Sequence, residues 1–263
     1  MRPAGDGRRR QRRDLLVAAL AWALLTGGGE LAVQFGAVEN FPFLASREGA
    51  VSDDAIIFLL RLLVPVFMFV AVAVFYGMLR FRVRPGDTAD SQVQRRTHRG
   101  FAWTWLAVTS AFTVTAIVHP GVTGLLDIWK TNSATDPLVV NVTAKQWEWQ
   151  FEYPAYRVVR QKTLVLPVDR PVKFVLRSED VIHSFWVPAF RIKWDAVPGM
   201  TRYAYLTPDR LGSTQASPLL RVQCAELCGV GHAQMNAPLR IVTGEQFAQW
   251  ARYQAAHPPP EEM

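Results

Sequence analysis

Two long apolar stretches constrain the fold of this chain of 263 residues more than any other feature. One runs from Ala55 to Phe81 and is interrupted by Arg61 and Pro65, and the other runs from about Phe101 to Val118. A helix needs roughly 20 mainly apolar residues to cross the hydrocarbon core of a bilayer. We therefore predict a transmembrane helical hairpin over residues 55–119, in contact with membrane lipid.

The segment between the two stretches is strongly basic. It holds Arg80, Arg82, Arg84, Arg95, Arg96 and Arg99 against only Asp87 and Asp90. Because loops rich in lysine and arginine stay in the cytoplasm, this linker predicts the orientation of the hairpin. The chain after residue 120 should then lie on the outer, periplasmic side of a bacterial plasma membrane.

Residues 1–38 form a basic leader. Residues 1–13 contain six arginines and one aspartate, which account for most of the net charge of +7, so the charge does not indicate nucleic-acid binding. The apolar run Leu15–Thr26 is short for a span, and apolar residues resume after Glu30 as far as Val38. Both a cleaved signal peptide and a signal-anchor helix fit this pattern.

From Asp136 onwards the pattern becomes one of short β-strands. Residues 147–153 alternate aromatic and polar side chains, which is the period of a strand with one buried face. Further strands are predicted at 138–142, 163–166, 172–177, 182–187, 202–206, 219–223 and 239–242. We predict an all-β barrel or sandwich over 136–243, followed by a C-terminal helix and tail over 244–263.

The loop near the C-terminus concentrates metal-binding side chains. Cys224, Cys228, His232 and Met235 fall within 12 residues, and the two cysteines are the only ones in the chain. A disulfide is the ordinary outcome for two cysteines in an oxidising compartment, but here it would close a very small loop. Thiolate, imidazole and thioether ligands favour copper, whereas zinc would make little use of the methionine.

A second histidine, His183, is predicted at the start of a strand about 40 residues upstream. A remote histidine together with a Cys-His-Met loop is the ligand pattern of cupredoxin copper sites. A mononuclear blue-copper site needs one cysteine, and this loop has two. Two thiolates can bridge two copper ions, each with its own terminal histidine.

These motifs resemble subunit II of the haem-copper cytochrome c oxidases. The resemblance comprises the loop Cys224-x-Glu226-x-Cys228-x3-His232-x2-Met235, the segment Asp180-Val181-Ile182-His183-Ser184, the strand Trp147-Glu148-Trp149 and the turn Asp195–Gly199. With the helical hairpin, it covers nearly the whole chain. It implies a cupredoxin-like β-domain that holds the binuclear copper A centre.

The resemblance also implies a role for each site residue. Cys224 and Cys228 would bridge the two copper ions, and His183 and His232 would be terminal ligands. Met235 and the backbone carbonyl of Glu226 would be axial ligands. The Glu226 carboxylate would bind magnesium or manganese at the junction with subunit I.

On the same basis the chain would accept electrons from cytochrome c, with Trp147 as the point where they enter. They would pass to the haem-copper subunit I, which reduces oxygen to water with proton pumping, and subunit III is a further expected partner. Glu152, Glu179 and Asp180 match acids near the cytochrome c footprint. Because the β-domain is not strongly acidic, a less basic or membrane-tethered cytochrome is a second possible donor.

Two features limit the resemblance. Gly100 stands where the family usually has an acid associated with proton entry into subunit I, and Ala107 stands where it has a proline.

The intact ligand set argues against a quinol oxidase subunit II, and the hairpin argues against nitrous oxide reductase. A membrane-anchored copper-binding or chaperone module remains the alternative from a different class.

Overall fold

The computed structural model describes residues 4–82, 86 and 98–260 and divides the chain into two units. One unit contains Met1–Phe41 and Asp54–Val122, and the other contains Pro42–Asp53 and Thr123–Met263. The first is helical, and the second consists mainly of β-strands.

The helical unit is built from three long apolar helices. Helix α1 spans Ala4–Ala32 and continues as a π-helical turn over Val33–Val38, α2 spans Arg47–Arg80, and α3 spans Arg99–Ala116. In the part of the chain that the structure describes, the stretches Arg9–Val38, Arg47–Arg80 and Arg99–Thr131 are long and apolar enough to cross a membrane. The expected long apolar helices are therefore present, and the first continues through Gly27–Gly29.

The third stretch is broken directly after Val118, where the predicted span ends. Helix α3 ends at Ala116, the chain has a kink at His119, and helix α4 follows over Thr123–Asn132. His119 is extended (φ −135°, ψ 123°), as expected for a residue that precedes a proline. Most of the basic linker, including Arg84, Arg95, Arg96, Asp87 and Asp90, lies outside the described residues.

The β-domain contains eleven strands in the described part of the chain. They are β1 (Leu138–Lys145), β2 (Glu148–Tyr153), β3 (Val158–Gln161), β4 (Leu164–Pro167), β5 (Val172–Ser178), β6 (His183–Val187), β7 (Ile192–Ala196), β8 (Arg202–Leu206), β9 (Gly212–Ser213), β10 (Arg221–Cys224) and β11 (Asn236–Val242). Helix α5 (Gly244–Ala256) follows the last strand.

The strands form two sheets. One has the order β3-β2-β1-β5-β8, in which β1 and β5 are parallel and the other pairs antiparallel. The other has the order β4-β11-β10-β6-β7, with β4 parallel to β11 and the short β9 paired to β11. Neighbouring strands are thus often distant in sequence, which brings β6 against β10.

One hydrophobic core joins the two sheets. Residues alternate between buried and partly exposed along β1 and β2, as expected for strands with one face on a core. Trp149 on β2 meets Phe185 on β6 edge to face, with ring centroids 5.7 Å apart, and Phe174 on β5 lies 5.1 Å from Phe185. These contacts pack the first sheet against the strand that begins at His183.

The C-terminal helix completes the core. Thr243 caps α5 by accepting a hydrogen bond from the backbone N–H of Gln246, whose side chain bonds back to the Thr243 N–H. Phe247 is buried, and it and Trp250 pack their rings against Tyr153 of β2. The predicted helix is therefore part of the β-domain.

Candidate metal centre

Two neighbouring strands bring the distant histidine to the cysteine loop. Strand β6 begins at His183 and β10 ends at Cys224, and the two pair antiparallel, with Cys224 opposite Phe185. The loop that follows returns to the same place, since the Cys224 N–H donates to the carbonyl of Met235 (3.0 Å), directly before β11. The ends of the loop and the start of β6 therefore form one site.

The side chains predicted as metal ligands converge in this site. The sulfur atoms of Cys224 and Cys228 lie 3.8 Å apart. Nδ1 of His183 lies 3.9 Å from the Cys224 sulfur, Nδ1 of His232 lies 3.6 Å from the Cys228 sulfur, and Sδ of Met235 lies 3.8 Å from the same sulfur. Each thiol thus has its own imidazole.

These distances suit metal ligands and do not suit a disulfide. Both cysteines are free, and an S–S bond would need a separation of about 2.05 Å. Ligands held at about 2.0–2.3 Å from one tetrahedral ion lie roughly 3.3–3.8 Å from each other. His183, Cys224 and Cys228 are all buried, with their ligand atoms within 4.8 Å of one another. The residues present therefore fit a metal centre with sulfur and nitrogen ligands.

Burial also affects the protonation of the cysteines. Removal from water raises the pKa of the Cys228 thiol to about 11, and the neighbouring Cys224 contributes to the increase. Without a metal ion the thiol is therefore protonated at neutral pH. A bound cation would replace the proton, because thiolate is the form that ligates metals.

Asp180 holds His183 from the side opposite the cysteines. Its Oδ1 lies 2.7 Å from Nε2 of His183, while the other ring nitrogen faces Cys224. The carboxylate also accepts backbone N–H bonds from Gln146 and Val181, each at 2.6 Å. Desolvation alone would raise the pKa of Asp180, but the bonds from His183 and the two amides outweigh it and lower the pKa.

Trp147 contacts Cys228, the second cysteine of the loop. Its indole Nε1 donates to the carbonyl oxygen of Cys228 at 3.1 Å, and its side chain remains partly exposed. The side-chain amide of Gln146 donates to the same oxygen at 2.7 Å. The only signal for Gln146 in the sequence is its position directly before Trp147.

The backbone carbonyl and the side-chain carboxylate of Glu226 have different surroundings. Its backbone carbonyl accepts a hydrogen bond from the Cys224 thiol at 3.1 Å, so this oxygen faces the ligand cluster. The residue as a whole is exposed. Its carboxylate is therefore open to groups outside this chain.

The three predicted docking acids are not equivalent. Glu179 and Asp180 are in the turn between β5 and β6, next to the candidate ligand His183. Glu152 is near the far end of β2, five residues beyond Trp147 and therefore about 16 Å away along the strand. The structure thus brings two of these acids close to the site and leaves Glu152 apart from it.

Comparison with known proteins places the chain in a family. The family model described as the periplasmic domain of cytochrome c oxidase subunit II matches residues 157–242. Cytochrome c oxidase subunit 2 of Bacillus subtilis is 32% identical over 254 residues, covering 91% of this chain and 67% of the relative. This chain belongs to the cytochrome c oxidase subunit II family.

Other members and a solved structure are also similar to it. The alternative cytochrome c oxidase subunit 2 of Bradyrhizobium diazoefficiens is 31% identical over 222 residues, covering 72% of this chain and 75% of the relative. The periplasmic domain of subunit II of cytochrome oxidase from Bradyrhizobium japonicum is 28% identical, with a TM-score of 0.42, over 47% of this chain and 96% of that chain.

Family membership establishes the general character of this subunit II. It is a membrane protein with apolar helices and a cupredoxin-like β-domain outside the bilayer, and it belongs to an oxidoreductase complex with other oxidase subunits. The family indicates copper as the metal, and His183, Cys224 and Cys228 form a candidate site for it.

Proposed function

We propose that this subunit II accepts electrons from cytochrome c at a binuclear copper A centre. It passes them to the haem-copper subunit I, where oxygen is reduced to water and protons are pumped. The observation that carries the proposal is the pair of thiols of Cys224 and Cys228, 3.8 Å apart, each beside its own imidazole. Thiolate and thioether are soft ligands that favour copper, and a pair of thiolates that each have their own imidazole could be shared between two copper ions.

The chain would hold the copper ions with six groups. The thiolates of Cys224 and Cys228, the imidazoles of His183 and His232, the thioether of Met235 and the backbone carbonyl of Glu226 would hold the ions. When bound, the copper pair supplies one-electron transfer in which the change in charge is shared by two ions. The β-framework fixes the ligands, and the burial of the cysteines and Met235 excludes water from them.

Electrons would enter through Trp147. Its indole is partly exposed and bonded to the carbonyl of Cys228, which connects the surface to a copper ligand. Glu179 and Asp180 would lie within the footprint of the donor, while Glu152 would contact only its edge. The donor is cytochrome c or a membrane-tethered cytochrome.

The remaining proposals concern topology and partners. Residues 55–119 form the transmembrane hairpin, 136–243 form the copper domain on the periplasmic side, and 244–263 form its C-terminal helix and tail. Subunit I would cover the exposed Glu226 carboxylate, which would share a magnesium or manganese ion with it. Subunit III would complete the complex.

Copper loading of the full chain in detergent tests the proposal. We expect two copper ions per chain and a mixed-valence signal shared between them, and we expect Cys228→Ser to abolish this signal. His257→Gln, which removes a histidine at the end of α5, should leave it intact. A single copper ion with a blue, mononuclear spectrum would contradict the binuclear assignment. Two copper ions that cytochrome c cannot reduce would favour a copper-binding module.

A further inference from the structure

The indole of Trp147 rests against two glycines of the ligand loop. A Cβ atom added at Gly231 would lie 2.3 Å from Cδ2, 2.6 Å from Cγ and 2.7 Å from Cε3 of Trp147. At Gly229 it would lie 3.2 Å from Cζ2 of the same ring. The ring therefore occupies the space that a side chain at position 231 would require.

The two glycines are present for different reasons. Gly229 has a φ of +113°, a conformation that residues with a side chain rarely adopt. Gly231 has φ −91° and ψ 7°, which other residues also adopt. Space for the indole, and not backbone conformation, therefore explains glycine at position 231.

We propose that Gly231 is a positioning residue for electron transfer, because it allows Trp147 to lie close enough to bond the Cys228 carbonyl. This proposal rests on the proposed function. One electron would leave the reduced cytochrome, pass the indole and its N–H···O=C bond, and continue through the bonds of Cys228 to the oxidised copper pair. Without this contact the electron would have to cross a gap, where electronic coupling falls more steeply than through bonds.

The first test concerns the position of Trp147 and does not depend on copper. The full chain is labelled with 5-fluorotryptophan, and the signal of Trp147 is assigned with Trp147→Phe. We expect Gly231→Ala to shift this ¹⁹F signal in the metal-free chain. Gly244→Ala is the matched control, because a Cβ there meets nothing within 4 Å. An unshifted Trp147 signal in Gly231→Ala would overturn the proposal.

The second test measures electron transfer. Flash-induced reduction of the copper by reduced cytochrome c should be slower in Gly231→Ala than in Gly244→Ala, because the displaced indole no longer bonds the Cys228 carbonyl. Copper content and the mixed-valence spectrum should not change. In a Trp147→Phe background Gly231→Ala should have no further effect on this rate. Both substitutions remove the same contact, which is the bond between the indole and the Cys228 carbonyl. An additive loss, or an unchanged rate, would overturn the role of Gly231. A wild-type chain without binuclear copper would instead contradict the proposed function and leave the ¹⁹F result standing.

A separate set of contacts concerns the leader. Asp14 of α1 accepts hydrogen bonds from Tyr76 (3.0 Å) and Arg80 (3.1 Å) of α2, and it forms an ion pair with Arg80. The indole of Trp22 donates to the carbonyl of Pro65 at 2.8 Å. Further along, Oε1 of Gln34 accepts a hydrogen bond from Arg61 at 2.7 Å.

The same face of α1 also approaches α2 closely. A Cβ added at Gly29 would lie 2.7 Å from Cγ1 of Val64. Small residues at such positions allow membrane helices to pack closely. As the residue number rises along α1, its partner in α2 falls, so all the contacts follow one antiparallel register from end to end.

We infer that α1 is a permanent third transmembrane helix paired with α2 and is not a cleaved signal peptide. The apolar region of a signal peptide needs only hydrophobicity, whereas α1 has a polar partner for Arg80 and for Arg61. Cleavage after the apolar run would remove Asp14 and leave Arg80 without its carboxylate partner, and it would detach Gln34 from the helix that holds it beside Arg61. Ionisable residues in or next to an apolar span are costly and are normally paired.

Two measurements on membrane-purified chain with a C-terminal tag test this inference. N-terminal sequencing and intact mass should show that the chain begins upstream of Asp14, and an N-terminus at or after Gly27 would overturn the inference. In a Cys224→Ser/Cys228→Ser background, the pair Gly29→Cys and Val64→Cys should crosslink on oxidation. Gly36→Cys with Val64→Cys is the control, because a Cβ at Gly36 meets nothing within 4 Å. Equal crosslinking of both pairs would overturn the register.

Discussion

Oδ1 of Asp180 lies 2.7 Å from Nε2 of His183, and this contact fixes which ring nitrogen faces the cysteines. Carboxylate partners of this kind orient a ligating imidazole and raise its basicity. The resemblance predicts that Asp180 is among the acids that contact the electron donor. The structure adds a second role, because three of its hydrogen bonds are made within the chain.

Substitution of Asp180 separates these two roles. Asp180→Asn should lower copper affinity about tenfold or more and shift the reduction potential, because the imidazole loses its charged partner. Glu179→Gln, in the adjacent and exposed position, should leave copper binding unchanged and raise only the KM for cytochrome c. Copper titration and steady-state kinetics check both. Normal copper affinity in Asp180→Asn would show that Asp180 acts only in docking.

A buried ion pair should anchor the segment Pro42–Asp53 to the β-domain. Arg191 binds Asp53 through two bonds of 2.8 and 3.0 Å and also donates to the carbonyls of Pro42 and Pro188. Asp53→Ala should destabilise this attachment by about 3 kcal/mol, because it leaves a buried guanidinium without its carboxylate. Amide hydrogen exchange over residues 43–53 measures the effect.

The exposed pair of Arg47 and Asp169 is the matched control for that experiment. The two side chains are 61% and 63% exposed, although their contact is short at 2.9 Å. Arg47→Ala should therefore cost less than about 1 kcal/mol. Equal effects of the two substitutions would mean that burial does not determine the strength of these ion pairs.

The strands were predictable where a local pattern was strong. Strand β8 spans the predicted Arg202–Leu206, and the alternation after Trp147 became β2. The sequence does not predict β7, because Asp195 and Ala196 belong to the predicted turn Asp195–Gly199. Strand β3 was missed because it is short, lies at the edge of its sheet and contains Arg160 with a positive φ.

The site residues were likewise predictable where they are close together in the sequence, and not where they come together only through folding. Loop spacing alone indicated Cys224, Cys228, His232 and Met235, since these residues are close in the chain. The contact of Gln146 with the Cys228 carbonyl spans 82 residues and depends on how β2 approaches the loop. Such a contact arises from tertiary packing and has no periodic or spacing signal.

Glu148 should make the stability of the β1–β2 hairpin depend on acidity. Partial burial alone would raise its pKa, but hydrogen bonds with Lys145, Gln150 and Lys162 lower it from 4.5 to about 2. Because the folded pKa lies below the unfolded one, the stabilisation is complete above about pH 4.5 and is lost as the pH falls towards 2.

Comparison with Glu148→Gln isolates this contribution. The variant should be less stable by about 2 kcal/mol at pH 7, and its hairpin should lose less stability than wild type between pH 4.5 and 2. Hydrogen exchange of β1 and β2 at several pH values measures this. A wild type and a variant with parallel pH profiles would show that Glu148 has an ordinary pKa in the folded chain.

Substitution of Tyr153 should destabilise the core of the β-domain. It is fully buried, and its hydroxyl donates to the carbonyl of Val165 (2.9 Å) and accepts from the Val165 N–H (2.8 Å). Tyr153→Phe removes the partner of both backbone groups, so unfolding of the domain should become easier by about 1–3 kcal/mol. Tyr203→Phe, on the half-exposed face of β8, is the control and should change stability little. Chemical denaturation followed by tryptophan fluorescence compares the two, and a difference of less than about 0.5 kcal/mol would mean that water replaces the lost hydroxyl.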